Sequence, residues 1–245
     1  MARLEFTWFM VFAGGFVGGF VSGLSGFGTG LAAMPIWLLA VHPVLATQLA
    51  ALGAVISQVQ TLGTVRQSLS LRHVGPITVA GLAGVPIGVW LLPSVPVDIF
   101  KVSIGTLLIV FCLFLLVVPA NWRVQVRHRP VEMLCGFAGG FMGGLTGVPG
   151  PPVIIWGTLQ NWPRQDKRAI YQVYILAILV LTLVATAVAG LMNRDFLISA
   201  LIVAPVTIVG AWCGAMVYRR VDDRRFDRIV LAIMLISGIC LIASR

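Results

Sequence analysis

Residues 14–37 read GGFVGGFVSGLSGFGTGLAAMPIW, and residues 136–156 read GFAGGFMGGLTGVPGPPVIIW. An offset of 121 lays Gly15, Phe16, Gly18, Gly19, Phe20, Gly23, Leu24 and Gly26 on Gly136, Phe137, Gly139, Gly140, Phe141, Gly144, Leu145 and Gly147, with Ser25 on Thr146. So many identities mark the chain as two copies of one unit. Each copy carries a glycine-rich break inside an apolar run. The repeat extends outward: Gly84, Gly88 and Phe100 fall on Gly210, Gly214 and Phe226 at an offset of 126, and Gln48 falls on Gln172 at 124.

Composition sets the environment. Hydrophobic residues make up 59% of the 245 and charged residues 10%, with a mean hydropathy of +1.00. A water-soluble domain carries roughly 25% charged residues, so this chain cannot cover a water-facing surface. Runs of Leu, Ile and Val near 20 residues long, without period-two alternation, predict membrane helices rather than a barrel. The net charge of +9 does not indicate a nucleic-acid partner, because the basic residues lie in short gaps between apolar runs. Cys112, Cys135, Cys213 and Cys240 lie within apolar runs without metal-ligand spacing and read as small buried hydrophobes. No metal or cofactor is expected. The first apolar segment is broken by glycines and repeated later, unlike a cleaved signal peptide.

The apolar segments run 8–24, 30–41, 45–65, 74–93, 100–118, 131–147, 150–160, 168–192, 196–218 and 226–243. Six reach the length needed to cross a core of about 30 Å at 1.5 Å per residue. The pairs 8–24 with 30–41, and 131–147 with 150–160, are shorter and flank the two breaks. Topology follows from Lys and Arg. Thirteen of the 17 lie in four gaps: Arg66 and Arg72; Arg123, Arg127 and Arg129; Arg164, Lys167 and Arg168; and Arg219, Arg220, Arg224, Arg225 and Arg228. With those gaps cytoplasmic, 131–160 is a hairpin entered from the cytoplasm and 8–41 a hairpin entered from outside. The expected fold is an all-α polytopic membrane protein with an inverted repeat, each half a glycine-broken helical hairpin plus three transmembrane helices. The first repeat covers 1–118, a cytoplasmic linker 119–130, and the second repeat 131–245. Inverted repeats of this kind are an architecture of secondary transporters.

Two stripes of small residues run down the first arm of each hairpin: Gly15, Gly19 and Gly23, mirrored by Gly136, Gly140 and Gly144, and Gly14, Gly18, Ser22 and Gly26, mirrored by Gly139, Gly143 and Gly147. Small residues at every fourth position let helix backbones approach closely in lipid. The breaks Ser25-Gly26-Phe27-Gly28-Thr29-Gly30 and Thr146-Gly147-Val148-Pro149-Gly150-Pro151 cannot continue a helix. Irregular backbone at membrane depth persists only where it is buried in protein or lines a wet cavity. The second arm starts at the break, so its free N–H groups and positive dipole end face inward, and Pro151 suits the first helical turn. Two such ends predict an anion site near the midplane. Ser25, Thr29, Thr146, Gln48 and Gln172 would supply uncharged donors, with Gln58, Gln60 and Tyr174 as further polar groups in spans. Phe27, Trp37 and Trp156 are candidate walls, although the tryptophans fit core packing or an interfacial belt better. All eight Asp and Glu lie at segment ends, which favours an anionic or neutral substrate over a cation.

Gly23-Leu24-Ser25-Gly26 matches the G-x-S-G of intramembrane serine proteases. A nucleophilic serine needs a base, yet His42, His73 and His128 all sit at segment ends or in gaps, and the repeat mate of Ser25 is a threonine. An enzyme is not expected.

The chain resembles the sulfite exporter TauE/SafE family of membrane permeases. The resemblance rests on the doubled hairpin GGFVSGLSGFGTG and GGFMGGLTGVPGPP. It extends to Ala46-Thr47, to Arg72-His73 leading into GLAGVPIGVWL, and to Phe100 and Phe226 opening a final span. It implies a carrier in the bacterial cytoplasmic (inner) membrane for a small anionic substrate such as sulfite, sulfoacetate or an organosulfonate, in contact with the lipid bilayer and without cofactor. Two features depart from the commonest pattern: GFGTG in place of three consecutive glycines, and Pro149, Pro151 and Pro152 in the second break. Bulk at Phe27 and rigidity at the prolines reshape the pocket, and the aromatic residues make an aryl sulfonate a candidate. A carrier of another small anion, such as a carboxylate, and a non-transporting membrane scaffold are the alternatives.

Overall fold

A glycine at every fourth helical position builds a groove floored by backbone, and a second helix can enter it only if its own facing residues are small. Two such pairings organise this molecule. The computed structural model describes residues 2–62, 71–117, 129–160, 164–218, 235 and 238–243, and among these residues the regular structure is helical, with no strand. The helices are α1 (Ala2–Ser25), α2 (Thr29–Trp37), α3 (Pro43–Leu62), α4 (Leu71–Leu91), α5 (Val97–Val117), α6 (Arg129–Thr146), α7 (Gly150–Leu159), α8 (Arg164–Val188) and α9 (Arg194–Tyr218). Most of the expected span 226–243 and the basic residues Arg66, Arg123, Arg127, Arg219, Arg220, Arg224, Arg225 and Arg228 lie outside the described residues.

Among the described residues, six stretches are long and apolar enough to cross a membrane: Glu5–Ser25, Pro43–Gln60, Val74–Ser94, Val97–Val117, Ala169–Val188 and Arg194–Val217. The first corrects the sequence expectation. The first hairpin arm is not a short segment from residue 8 but a helix of 24 residues, about 36 Å at 1.5 Å per residue. The glycines that broke the hydropathy pattern are accommodated because their cost as poor helix formers is offset by the packing they allow. Likewise Arg164, Lys167 and Arg168, expected in a gap, open α8, and the expected linker gives up Arg129 and Pro130 to α6. Straight-chain basic residues are good helix formers, so helices extend past the apolar boundary.

The larger helix pairings are α4 with α6 and α1 with α9. Both are parallel, by register. Along α1, Gly15, Gly19 and Gly23 face Val203, Thr207 and Ala211 of α9; along α6, Gly136, Gly140 and Gly144 face Ile77, Gly81 and Val85 of α4. Both helices advance by four residues at each step. The glycines of the partner helices interlock in return: a Cβ on Gly84 would lie 2.5 Å from Phe137 O, and one on Gly210 would lie 2.5 Å from Phe16 O. Thr207 Oγ1 also donates to Gly15 O at 3.3 Å. The second stripe serves another purpose. Gly14 and Gly18 seat Trp37, Thr29 and Ala33 of α2, while Gly139 and Gly143 seat Pro149. Trp37 is fully buried and its Nε1 donates to Val11 O at 3.1 Å, so α2 folds back antiparallel on α1 along Val11, Gly14 and Gly18. Phe9, Phe12, Leu201 and Trp212 are exposed on the outside, where lipid would cover them.

Gly19→Ala and Gly140→Ala each place a Cβ against carbonyl oxygens of the neighbouring helix, at Thr207 and Gly81. Each is expected to cost about 1–3 kcal/mol by overpacking, read as a lowered Tm of the detergent-solubilised protein. Gly75→Ala, whose Cβ would meet none of the described residues within 4 Å, is the control and leaves Tm unchanged or slightly raised.

Candidate functional site

The first break starts where α1 runs out of side chains that can hold it. Gly26 N–H still donates to Ser22 O at 2.8 Å, and then Gly26 and Gly28 take φ values of 78° and 95°, a region open to glycine at little cost. Ser25 Oγ donates to Val21 O at 2.9 Å, accepts from Phe27 N–H at 3.4 Å and lies against Phe27 O. The second break is built alike. Gly147 N–H donates to Gly143 O at 2.8 Å, Gly147 has φ 68°, and Thr146 Oγ1 donates to Met142 O at 2.7 Å. The paired hydroxyls Ser25 and Thr146 thus do the same local work, closing the end of a helix onto the carbonyl four residues back.

The breaks come together although 121 residues separate their sequences. A Cβ on Gly30 would lie 2.9 Å from Val148 Cγ2 and 3.1 Å from Gly147 O, and Cβ atoms on Gly30 and Gly147 would lie 3.5 and 3.0 Å from Ala50 Cβ. Helix α3 braces both. Thr47 Oγ1 donates to Leu145 O at 3.2 Å, Gln58 Nε2 donates to Gly26 O at 3.3 Å, and Thr29 Oγ1 donates to Ser57 Oγ at 3.5 Å. Between the breaks lies a cavity of about 20 Å³, lined by Phe27, Gly28, Thr29, Gly30 and Leu31, by Gly147, Val148, Pro149 and Gly150, and by Ala54, Gln58, Ile154, Ile175 and Leu179. That volume admits about one water molecule.

Eight of the fourteen expected site residues therefore line one cavity: Phe27, Gly28, Thr29, Gly30, Gly147, Val148, Pro149 and Gly150. Ser25, Gly26, Thr146 and Pro151 stand just behind it in the breaks. Gln48 and Gln172 are buried, at 1% and 2% exposure, but lie outside the lining, and Gln48 Nε2 has no hydrogen-bond acceptor among the described residues. Of the three aromatic candidates, Phe27 lines the cavity; Trp37 belongs to the core, and Trp156 is buried outside the lining. Gln58 is the polar residue whose place the sequence understated. Its signal was available: Thr47, Ala50, Ala51, Ala54 and Gln58 form one helical stripe, small in the middle and polar at both ends. Glu132, at a segment end in sequence, is buried in the first turn of α6.

The two helix ends differ as donors. Thr29, Gly30 and Leu31 open α2 and have no acceptor within their own helix; the first backbone bond of the helix is Ala32 N–H to Gly28 O at 3.0 Å. Helix α7 starts Gly150-Pro151-Pro152 behind Pro149, and proline has no N–H. Gly150 alone supplies a free donor there. The polar side of the cavity is the first break with Gln58, and the apolar side is Val148, Pro149, Ile154, Ile175 and Leu179.

Residues 11–241 match the family model of the sulfite exporter TauE/SafE. The chain belongs to that family. No curated protein and no solved structure matches it. The TauE/SafE family consists of membrane transporters, which agrees with six helices able to span a bilayer and with a multi-pass membrane protein. The match covers both breaks and both glycine-packed helix pairs.

Gly28→Ala and Gly147→Ala force a side chain into left-handed backbone, and the second also sets a Cβ 2.7 Å from Thr47 O. Left-handed backbone costs a non-glycine residue about 1–2 kcal/mol. Both variants are expected to lower Tm, Gly147→Ala by more. Equal Tm values would mean that the second break is free to move away from α3.

Proposed function

We propose that this TauE/SafE member moves a small sulfur-containing anion (sulfite, sulfoacetate or an organosulfonate) across the bacterial inner membrane by alternating access. The site would lie at the two breaks, between halves related as an inverted repeat. The observation that carries this reading is the convergence of two repeat-related breaks on one cavity, with the free N–H groups of Thr29, Gly30 and Leu31 on one side and no carboxylate in the lining. Backbone donors at a helix start, aided by the helix dipole, suit an oxyanion.

The inverted relation is supported by helix register. Helices α1 and α9 are parallel. Five residues, 189–193, join α8 to α9, and at about 3.3–3.6 Å per residue they cannot return the chain along a 25-residue helix, so α8 opposes α9. Helix α6 is parallel to α8, because Gly139 meets Tyr174 and Gly143 meets Ile178. This register supports α6 opposing α1, with the hairpins entering from opposite sides.

A cavity of about 20 Å³ is too small for a sulfur oxyanion, so substrate binding requires the breaks to separate. The sulfonate would then sit against Thr29, Gly30, Leu31 and Gln58, with Val148 and Pro149 covering its organic end. Gln48, a buried amide with an unused donor one residue from the brace at Thr47, would join the site as the breaks part.

The test is ligand-induced stabilisation of purified protein by sulfite, sulfoacetate, toluenesulfonate, sulfate, acetate and benzoate, followed by uptake into proteoliposomes. A ligand at 100 times its Kd adds about 2.7 kcal/mol. Stabilisation by the sulfur anions over matched carboxylates supports the reading; stabilisation by carboxylates alone, or by nothing, overturns the substrate assignment. Gln58→Leu should weaken sulfonate binding at least tenfold. Gln48→Ala should reduce uptake with the protein still folded, and unaltered uptake would remove Gln48 from the site.

A further inference from the structure

Helices sorted by what they pack on, rather than by sequence order, fall into two bodies, with α3 packing on α8 as extensively as on α9 and α5 touching α2 of one body and α7 of the other. In one, α1 packs on α9, on α2 and on α3, and α3 packs on α9. In the other, α4 packs on α6 and α8, and α6 on α7 and α8. Each body takes its hairpin and the following helix from one half and one helix from the other half: α9 sits with the first hairpin, α4 with the second. The apolar cores divide the same way. One runs through Val11, Leu31, Trp37, Leu49 and Val203, and the other through Ile77, Val85, Ile170, Tyr174 and Ile178. They mix at the seam, where Val148 and Ile154 join the first core and Ala51 and Ala54 the second.

The two most extensive helix pairings, α1 with α9 and α4 with α6, both lie inside a body. Within a body, backbone meets backbone at Gly19, Gly23, Gly140 and Gly144, a close-packed contact with no room for an added methyl group. Tyr174 Oη donates to Gly136 O at 2.6 Å and Thr207 Oγ1 to Gly15 O at 3.3 Å, each bond joining helices of one body. Between bodies, α3 meets α8, the two breaks abut at Gly30 and Gly147, Thr47 Oγ1 donates to Leu145 O at 3.2 Å, and the small cavity interrupts the packing. Among the described residues, the chain crosses from one body to the other at 189–193, where Gly190 has φ 69° and a Cβ would meet none of those residues within 4 Å.

We propose that the units which move against one another are these exchanged bodies and not the two sequence halves: α9 travels with α1, and α4 with α6, while the seam of α3, α8 and the breaks opens. The purpose of the motion rests on the transport reading; the identity of the moving bodies does not.

The experiment uses the full chain with its four native cysteines replaced by serine. Ala54→Cys, in the seam, reports opening through its rate of reaction with a water-soluble maleimide. Gly15→Cys with Val203→Cys ties α1 to α9; a Cβ on Gly15 would lie 3.6 Å from Val203 Cα, which suits a disulfide. The expected result is that Ala54→Cys reacts within twofold as fast with the tether closed as with it reduced, and that sulfite uptake persists in the tethered protein that keeps Ala54. Loss of labelling on closing the tether, restored by reductant, would show that α1 and α9 move apart and overturn the proposal. So would a seam cysteine that never reacts in the untethered protein. Labelling without sulfite uptake in the untethered protein would count against the transported anion and leave the bodies intact. Should the buried pair not fold, Phe12→Cys and Leu201→Cys, both on lipid-exposed positions, are joined by a short bis-maleimide and read in the same way.

Discussion

Backbone contact at glycine holds this molecule together. In lipid, apolar side chains gain nothing by leaving water, so helix association depends on close packing and interhelical hydrogen bonds. Gly15, Gly19 and Gly23 give α1 a face without Cβ atoms, and α9 meets it with Gly210 and Gly214; Gly136, Gly140 and Gly144 do the same for α6 against Gly84 and Gly88 of α4. Every later feature depends on these two seams. They fix the first arm of each hairpin, and so the height at which each break sits.

A second stripe on the same helices seats the returning arms. Trp37 against Gly14, and Pro149 against Gly139 and Gly143, turn each hairpin back on itself, so its tip is held from two sides. The tips then meet at Ala50, a residue small enough to let both approach α3. Thr47 and Gln58, eleven residues apart on that helix, each hold a carbonyl at one break. At 1.5 Å per residue these two braces lie about 16 Å apart along the axis, and the cavity lies between them. The site is thus made of backbone and small residues, as a pocket for a small oxyanion requires.

The repeat is close to symmetrical in its packing and unsymmetrical in its chemistry. Residues on the seams correspond in both halves. At the tips, Thr29-Gly30-Leu31 opens one helix with free N–H groups, and Gly150-Pro151-Pro152 opens the other with a single one. On the bracing helices, Ala50, Ala54 and Gln58 in α3 correspond to Tyr174, Ile178 and Thr182 in α8. One half presents donors, and the other presents an apolar wall.

Much of this was legible in the chain. Glycine spacing, apolar run length and the 121-residue repeat determined that the protein is helical, lies in a membrane and breaks twice, because those properties depend on residue period and composition alone. Eight of the expected site residues line the cavity because a break and its neighbours are local in sequence. Tertiary structure decided the rest. That α1 pairs with α9 and α4 with α6 cannot be read from glycine stripes, which make a helix adhesive without naming its partner. Gln48 and Gln172 were equal by symmetry, yet Gln58 reaches the cavity, because helical phase against the breaks, not position in the repeat, decides which amide arrives. Trp37 went to the core, as its size and apolarity favoured, and the structure adds that Gly14 makes room for its ring.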